Sequence, residues 1–316
     1  MTRALQQQSG AAILAAMLTV TLVATFAATA IWQQYRALEV ETAERARVQS
    51  GWLSTAALDW ARLILREDAR AGSADHFAEP WAILLNSPQL SSFLSLDKGE
   101  IGNEKDNNLS GQIIDLQSRL NLANLVDGKA LSASDLNSFA RLFELLSLPS
   151  SELVTMANQL LKASAAESNA DLMPQRVDQL VWLGLSPQTL AALDSYITLL
   201  PQRTPVNLNT ASAEVIFAST SDMSLGDARK LVVLRDASHF RSLADVVAKT
   251  GGTADQFNEG RHGVASGFFE VRTTLKLNQI SVGESATIKR DGLNVRVLWR
   301  DRGAVASSPP APPAAR

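Results

Sequence analysis

The sequence predicts an α+β fold in which a long N-terminal helix packs on an antiparallel sheet and a large all-α domain is inserted into the chain. Three observations lead to this prediction. Residues 11–32 carry no charge, the middle of the chain has the three- and four-residue apolar spacing of helices, and the chain after Gly267 alternates apolar and polar residues as strands do. With 316 residues, the chain is long enough for about two domains.

The first element is an apolar helix that fits a membrane. Residues 11–32 read AAILAAMLTVTLVATFAATAIW, which is 22 residues without a charge. At about 1.5 Å per residue the segment is roughly 33 Å long, enough to cross a hydrocarbon core of about 30 Å. Arg3 lies before it and the next cation is Arg36. We therefore predict a transmembrane helix with its N-terminus in the cytoplasm.

Residues 1–10 form a short polar leader that ends in Gly10. A secretory signal is cut after its apolar stretch, so the stretch is lost. A cut after Gly10 would instead leave the apolar helix in the mature protein. This order resembles the leader of type IV pilins and type II secretion pseudopilins, which a prepilin peptidase cuts after a glycine. An uncleaved single-span anchor is the alternative.

The helix is predicted to continue to Gly72, because the chain after Trp32 contains no proline and only Gly51 as a glycine, which gives about 55 to 60 residues in all. The spacing of Glu41 and Arg45 supports an exposed helix. An apolar stripe then indicates that the second half packs on a folded body. A coiled coil is the alternative, but the stripe covers too few heptads. The stripe consists of Val48, Trp52, Leu53, Ala56, Ala57, Trp60, Leu63 and Ile64.

The middle of the chain changes from loops to helices. Residues 112–126 predict one or two short strands and a turn, and residues 132–257 are helical in character. Ser224, with Asp227 three residues later, is predicted to cap a helix. Three stretches share a helix–tight turn–helix form, namely 142–157, 180–193 and 215–234.

The C-terminal part predicts an antiparallel sheet of about three strands. Asp291-Gly292 is a strong signal for a two-residue hairpin turn. The strand before it is indicated by the alternation of Phe269, Val271, Thr273, Leu275 and Leu277, and the strand after it by Leu293, Val295, Val297 and Trp299.

These predictions divide the chain into six segments. They are 1–10, a leader; 11–32, a transmembrane helix; 33–131, the first part of the core; 132–257, an inserted α-helical domain; 258–303, the C-terminal strands of the core; and 304–316, a Pro/Ala-rich tail predicted to be disordered.

Composition excludes several classes of function. The chain has no cysteine, so it has neither disulfides nor thiolate chemistry. Its 29 basic and 32 acidic residues give a net charge of −3, whereas nucleic-acid-binding domains usually carry a basic face.

The combination of these features resembles the minor pseudopilins of type II secretion known as the general secretion pathway protein K family. The resemblance implies a pilin-like fold with an inserted helical domain containing helix-hairpin-helix-like units. Five features carry it: the Gly10–Ala11 junction, DHFAEPW at 75–81, IDLQSRLNLANL at 114–125, VNLNTASA at 206–213, and the strands after Gly267.

The resemblance also implies a role. In that family the protein is a structural subunit, not an enzyme, at the tip of the pseudopilus. It starts pseudopilus assembly and aids export of folded exoproteins through the outer membrane. The implied partners are minor pseudopilins I and J, with pseudopilin H and the major pseudopilin as further contacts, and the prepilin peptidase, which would cut between Gly10 and Ala11. The implied location is a Gram-negative inner membrane, with the body in the periplasm.

One residue points to the tip in particular. Most pseudopilins carry glutamate at the fifth mature position, where it is expected to pair with the α-amino group of a neighbouring subunit. Counting from Ala11, that position is Ala15. A subunit without the carboxylate suits the first place in a filament, and an insertion at 132–257 is too wide for a closely spaced shaft. The alternative is that Ala15 is an ordinary membrane residue in an unrelated anchor.

The partner helices are expected to pack along one face of residues 11–60 by helix-in-groove contacts. Small residues near the start of this segment allow close helix approach in lipid. The predicted assembly interface is Ala11, Ala12, Ala15, Ala16, Leu18, Leu22, Trp52 and Trp60.

Members of the family can also bind calcium, so calcium is the one cofactor that the resemblance implies. The chain has no calcium-loop signature, and we assign no ligands. Oxygen donors are available at Asp97, Glu100, Asp106 and Asn107.

DNA binding is the alternative function, because residues 206–246 resemble the helix-hairpin-helix segment of membrane-anchored DNA-uptake receptors. Those hairpins use a Gly-x-Gly turn to approach a phosphate, whereas residues 220–224 read TSDMS and place Asp222 there. Nucleic acid is therefore not an expected partner. The nearby cations Arg229, Lys230, Arg235 and Arg241 are matched by Asp222, Asp227, Asp236 and Asp245.

No catalytic residue is predicted. His76, His239 and His262 lack metal-ligand spacing, and His239 is interpreted as a capping or surface residue. Asp75 and Glu79 lie in a loop, so their spacing does not imply an acid–base pair. The motif that contains them is interpreted as structural, with Trp81 as a core anchor.

Overall fold

The structure, a computed structural model, describes residues 9–72, 74–83, 108–165, 172–277 and 280–303. The chain divides into two compact units, Met1–Thr55 and Ala56–Arg316. The predictions for residues 1–8 of the leader and for the tail 304–316 lie outside the described residues.

The helices and strands follow the chain in this order. The helices are α1 Ser9–Ala71, α2 Ala133–Leu145, α3 Ser150–Ser164, α4 Pro187–Leu193, α5 Ala213–Ser219, α6 Leu225–Ala237 and α7 Leu243–Thr250. The strands are β1 Asn108–Asp115, β2 Leu120–Asn121, β3 Val126–Asp127, β4 Ala130–Leu131, β5 Ile197–Thr198, β6 Val206–Asn207, β7 His262–Gly263, β8 Phe268–Leu277, β9 Ile280–Asp291 and β10 Asn294–Gly303.

Helix α1 spans 63 residues, which confirms the single long helix. In its apolar part, four threonine hydroxyls donate to the carbonyl three residues earlier, at 2.8–2.9 Å. These bonds satisfy the hydroxyls without water, as an apolar environment requires. The predicted pair of Arg45 and Glu41 is present at 3.2 Å. The four threonines are Thr19, Thr21, Thr25 and Thr29.

Four strands form one antiparallel sheet in the order β1-β8-β9-β10, which confirms the C-terminal sheet and adds β1 to it. Strands β9 and β10 form the predicted hairpin, with Asp291 opposite Asn294 and Gly292 at φ 56° in the turn. A positive φ strains any residue with a Cβ atom, so glycine suits this position.

The part of α1 from Ala56 onwards packs on this sheet, but with a different stripe from the predicted one. Val48, Trp52 and Leu63 are 57%, 73% and 42% exposed, so these three predictions are wrong. Adjacent rows on a helix share the same three- and four-residue spacing, and the sheet covers only one of them. The residues of the buried cluster are Leu58, Ala61, Leu65, Trp81, Ile113, Phe269, Val271, Ala286, Ile288 and Val295.

Strand β10 contains a bulge that the alternating pattern does not predict. Val297 pairs with Ile288 and Trp299 pairs with Thr287, so Leu298 is an extra residue. An extra residue moves every later side chain to the opposite face. Leu298 packs against a small buried cluster around Phe268, and Trp299 is 37% exposed, so the predicted alternation is wrong beyond Val297.

The helical region has its own core. The three helix–turn–helix stretches are confirmed, except that the first half of the second one is the 3-10 helix Val177–Leu183 and not an α-helix. The parallel pairs β2–β5 and β6–β7 link this region to the segments before and after it. Its fully buried side chains include Leu122, Leu125, Phe139, Phe143, Met156 and Phe240.

Candidate functional site

The three motifs that carry the family resemblance outside the membrane segment meet in one buried polar cluster. Asp75, Asp115 and Asn207 come from three separate motifs, and they are 2%, 2% and 0% exposed. We call this cluster, together with Asp68, Ser266 and Arg290, the polar clasp. It joins the end of α1, the ends of β1 and β6, the loop before β8, and β9.

Asp115 sits at the end of β1 and is surrounded by donors. Its Oδ1 accepts from the backbone N–H of Gln117 at 2.7 Å. Its Oδ2 accepts from the hydroxyls of Thr210 and Ser266 at 2.6 Å each and from the Asn207 amide at 3.0 Å. Burial raises the pKa of the Asp115 carboxyl, and the hydrogen bonds of Ser266, Thr210 and Gln117 act against this rise.

The side-chain amide nitrogen of Asn207 contacts three acceptors. Its Nδ2 lies 3.1 Å from the Asp75 carbonyl, 3.0 Å from the Asp115 carboxylate and 3.0 Å from the Ser266 hydroxyl. Its Oδ1 accepts from the backbone N–H of Asn209 at 3.0 Å. One side chain thus links the loop after α1, strand β1 and the loop before β8.

Arg290 on β9 supplies the positive charge. Its Nη1 donates to Asp68 at 2.6 Å, and its Nη2 donates to Asp75 and to the Ser266 carbonyl, the latter at 2.7 Å. The Ser266 backbone N–H donates to the other oxygen of Asp75 at 2.6 Å. Burial raises the pKa of both Asp68 and Asp75, and Arg290 opposes that rise.

The clasp also contains the one arrangement of acids among the described residues that could hold a metal ion. Carboxylate oxygens of Asp68, Asp75 and Glu79 lie within 4.8 Å of one another. Arg290 already supplies the cation for Asp68 and Asp75, and Glu79 accepts from the Trp81 indole at 2.7 Å. This donor set therefore does not suit calcium. The oxygen donors noted at 97–107 lie outside the described residues.

Further asparagines of the same motifs bridge backbone segments. Asn209 bonds both the N–H and the C=O of Phe240, at 2.8 and 2.9 Å. Asn124 does the same to Thr204, at 3.0 and 2.9 Å. Asn121 accepts from Leu200 N–H at 3.1 Å. Asparagine inside apolar runs such as NLNT and RLNLANL was the available sequence signal for these bridges, whereas no signal marked Ser266 or Arg290.

Two histidines that lie far apart in sequence meet beside the clasp. The rings of His76 and His239 are stacked, with centroids 3.7 Å apart and planes 14° apart. Burial lowers the pKa of both imidazoles. Ser242, and not His239, caps α7, so the capping interpretation of His239 is wrong. Trp81 is 1% exposed and meets Phe269 edge-to-face, which confirms it as a core anchor.

His262 lies between two hydroxyls but has no access to solvent. Its Nε2 is 3.3 Å from Ser219 and 3.2 Å from Thr220, an arrangement that resembles a base beside a nucleophile. All three side chains are at most 3% exposed, so no substrate can reach them. Burial lowers the pKa of His262 to about 4. The arrangement is therefore structural.

The hairpin between α5 and α6 keeps a helix-hairpin-helix geometry without a phosphate site. Asp222 adopts φ 57°, the conformation that glycine provides in such turns. Ser224 caps α6 by accepting from Asp227 N–H at 3.1 Å, as predicted. Lys230 pairs with Asp227 at 2.9 Å, and Arg235 is 8% exposed and bonds to the Leu208 carbonyl. Of the cations on this face, Lys230 is thus paired with an acid and Arg235 is buried.

The predicted assembly residues form no part of the clasp. Ala11, Ala12, Ala15, Ala16, Leu18 and Leu22 are exposed on α1, Trp52 is exposed and Trp60 is half-buried. Gly10 lies in the first turns of α1. The cleavage site and the assembly face stay predictions. Among the described residues, one helix is long and apolar enough to cross a membrane, by its length and composition.

Comparisons with known proteins agree on one family. Residues 206–265, which include Asn207, match the family model "Type II secretion system (T2SS), protein K". The type II secretion system protein K of Pseudomonas aeruginosa is 25% identical over 331 aligned positions, which cover 94% of this chain and 93% of that protein.

The fold also matches a solved structure. A chain of the GspK-GspI-GspJ complex from the enterotoxigenic Escherichia coli type 2 secretion system superposes with a TM-score of 0.64 at 19% identity, covering 83% of this chain and 98% of that one. The match supports a pilin-like fold with a helical insertion. In sequence and in fold, this chain is similar to the type II secretion system protein K family, the minor pseudopilins K.

Proposed function

We propose that this protein is the tip subunit of a type II secretion pseudopilus, where it starts filament assembly and aids export of folded exoproteins. The observation that carries the proposal is the combination of a pilin-like body with a helical region of six helices, α2 to α7, within it. In a helical filament each subunit is surrounded by neighbours, so a body of this width is best accommodated at the free end.

The membrane segment also supports a position at the tip of the filament. Ala15 replaces the carboxylate that would pair with the subunit ahead, and the first subunit has none ahead. The four backbonded threonines keep this part of α1 compatible with lipid. We place the N-terminus in the cytoplasm, the helix in a Gram-negative inner membrane, and the body in the periplasm.

Minor pseudopilins I and J are the proposed partners, because the related solved structure is a complex of GspK with GspI and GspJ. Pseudopilin H and the major pseudopilin are proposed as further neighbours. The exposed residues of α1 between Ala11 and Trp60 would carry these contacts by helix packing. Calcium stays a proposed ligand without assigned donors.

Processing by a prepilin peptidase tests the proposal at its first step. Mass spectrometry of the membrane-extracted protein should show a new terminus at Ala11. The substitution Gly10→Phe should block processing and secretion. Gly51→Ala is the matched control, because a Cβ atom at Gly51 meets nothing within 4 Å. An intact Met1 terminus, or a cut after about residue 30, argues against a pseudopilin.

Position in the filament is tested separately by labelling the protein in sheared pseudopili. One label at one end of each fibre is expected, and regular labelling along the length contradicts the tip assignment. Retardation of duplex DNA at low salt would instead favour the DNA-receptor alternative, which the pairing of Lys230 with Asp227 and the burial of Arg235 do not support.

A further inference from the structure

A shallow apolar groove on the helical region has no role in the clasp. It has a volume of about 370 Å³ and lies between the 3-10 helix Val177–Leu183 and helix α4. Its apolar walls carry two acidic side chains. The lining residues are Val177, Asp178, Val181, Pro187, Leu190, Ala191 and Asp194.

The described chain ends beside this groove. Asp301, two residues before the end of β10, forms an ion pair with Arg176. Arg176 also pairs with Asp178 at 2.7 Å, and Asp178 lines the groove. The last described residue, Gly303, therefore lies two positions after a residue that Arg176 links to one end of the groove.

The segment that follows β10 has a composition that suits an apolar groove. Residues 304–316 read AVASSPPAPPAAR, with four prolines and one charged side chain, Arg316. Proline-rich segments adopt an extended helix in advance, so they lose little entropy when they dock on apolar grooves. Arg316 is complementary to Asp194, because Asp178 is already paired with Arg176.

The length of the segment is also sufficient. Extended at about 3.1 Å per residue, residues 304–316 reach roughly 40 Å. The 3-10 helix along the groove has seven residues, or about 14 Å at 2.0 Å per residue. The segment can therefore pass along the whole groove from its starting point beside Arg176.

We propose that residues 304–316 of this chain dock in this groove as an extended polyproline-type segment. The prolines cover Val181 and Leu190, and Arg316 lies towards Asp194. Docking would order this segment, which composition alone predicts to be disordered. It would also cover the apolar groove, which at the tip of a pseudopilus would otherwise face solvent.

Cysteine cross-linking tests the proposal cleanly, because the natural chain has no cysteine. The full chain in detergent micelles would carry Ser308→Cys with Val181→Cys. The control carries Ser308→Cys with Val154→Cys, since Val154 is an exposed valine on α3, outside the groove lining. We expect intramolecular disulfide to form at least tenfold faster in the groove pair, and equal rates overturn the proposal.

A distance measurement provides the second arm. Spin labels at Ser308→Cys and Asn158→Cys should give a narrow distance distribution in the full chain. Val181→Asp should broaden it, whereas Val233→Asp, on a 68%-exposed residue of α6, should leave it narrow. A broad distribution in every variant, or disulfides that form only between chains, overturns docking within one chain, and the latter assigns the groove to a second copy.

Discussion

Arg290 is the residue whose loss should damage the clasp most. The substitution Arg290→Met keeps a long apolar stem but removes the cation between Asp68 and Asp75. In the folded protein the three side chains are 9%, 6% and 3% exposed, so water does not replace the lost charge. Breaking a buried ion pair by removing one partner costs about 3–5 kcal/mol.

An exposed ion pair provides the matched control. Arg70 pairs with Glu67 at 2.6 Å on the same helix that carries Asp68, but both side chains are more than half exposed. Exposed pairs contribute about 0–1 kcal/mol, so Arg70→Met should lower the free energy of unfolding by no more than that. The difference between the two variants isolates the effect of burial.

The stability that Arg290→Met loses should increase as pH rises. Burial already raises the pKa of Asp68 and Asp75, and Arg290 is the group that opposes this rise. Without Arg290 the folded state takes up protons more readily than the unfolded state, whose carboxyls keep a pKa near 3.8. A raised folded pKa means that stability is greatest at low pH and falls as pH rises. The variant should therefore lose more stability at pH 7.5 than at pH 4, which is close to the unfolded pKa.

Urea unfolding of the detergent-solubilised protein, followed by tryptophan fluorescence, measures both effects. Trp81 is buried 5.3 Å from Phe269 and reports on the adjacent core. The double variant Arg290→Met with Asp75→Asn should recover part of the loss, because the second change removes the unpaired charge. A loss below about 1 kcal/mol, or an equal loss at both pH values, refutes a charge-based role for Arg290.

Three further predictions concern two buried side chains and one exposed turn residue. Burial lowers the pKa of His262 from 6.5 to about 4, so at pH 5 the imidazole stays neutral in the folded protein but takes up a proton in the unfolded chain. The free energy of unfolding should therefore fall by about 2 kcal/mol between pH 7.5 and pH 5, and His262→Gln should remove this part of the pH dependence of the melting temperature. Asn207→Asp should cost about 3 kcal/mol or more in urea unfolding, because a second carboxylate would face Asp115, whereas Asn158→Asp on the exposed face of α3 should have little effect. Asp222→Val should lower the free energy of unfolding by about 1 kcal/mol and Asp222→Gly should not, because φ is 57° there; equal effects in urea unfolding would mean that the turn is not held in this conformation.

Local patterns were enough to predict most of the elements. The long helix followed from the absence of proline and the scarcity of glycine between Trp32 and Gly72, and the β9–β10 hairpin followed from Asp291-Gly292. The cap at Ser224 followed from a serine with an acid three residues later. Each of these features depends on residues within a few positions of one another, so a single sequence contains all of the information.

The predictions failed where the packing or pairing of one element against another decides which side chains are buried. Val48, Trp52 and Leu63 fit the helical period, but the sheet covers the row through Leu58 and Leu65. Trp299 fits the strand period, but the bulge at Leu298 shifts it. Periodicity states which residues share a face, and only packing decides which face is buried.

Residue patterns alone were enough to predict a long helix with an apolar first half, a C-terminal sheet, a helical insertion and a resemblance to one family. The tertiary structure alone decided that DHFAEPW, IDLQSRLNLANL and VNLNTASA meet in one polar clasp. Arg290 lies 215 residues from Asp75, and Asn207 lies 92 residues from Asp115. Contacts over such separations produce no local pattern in the sequence, because they form only when the fold brings the strand ends together.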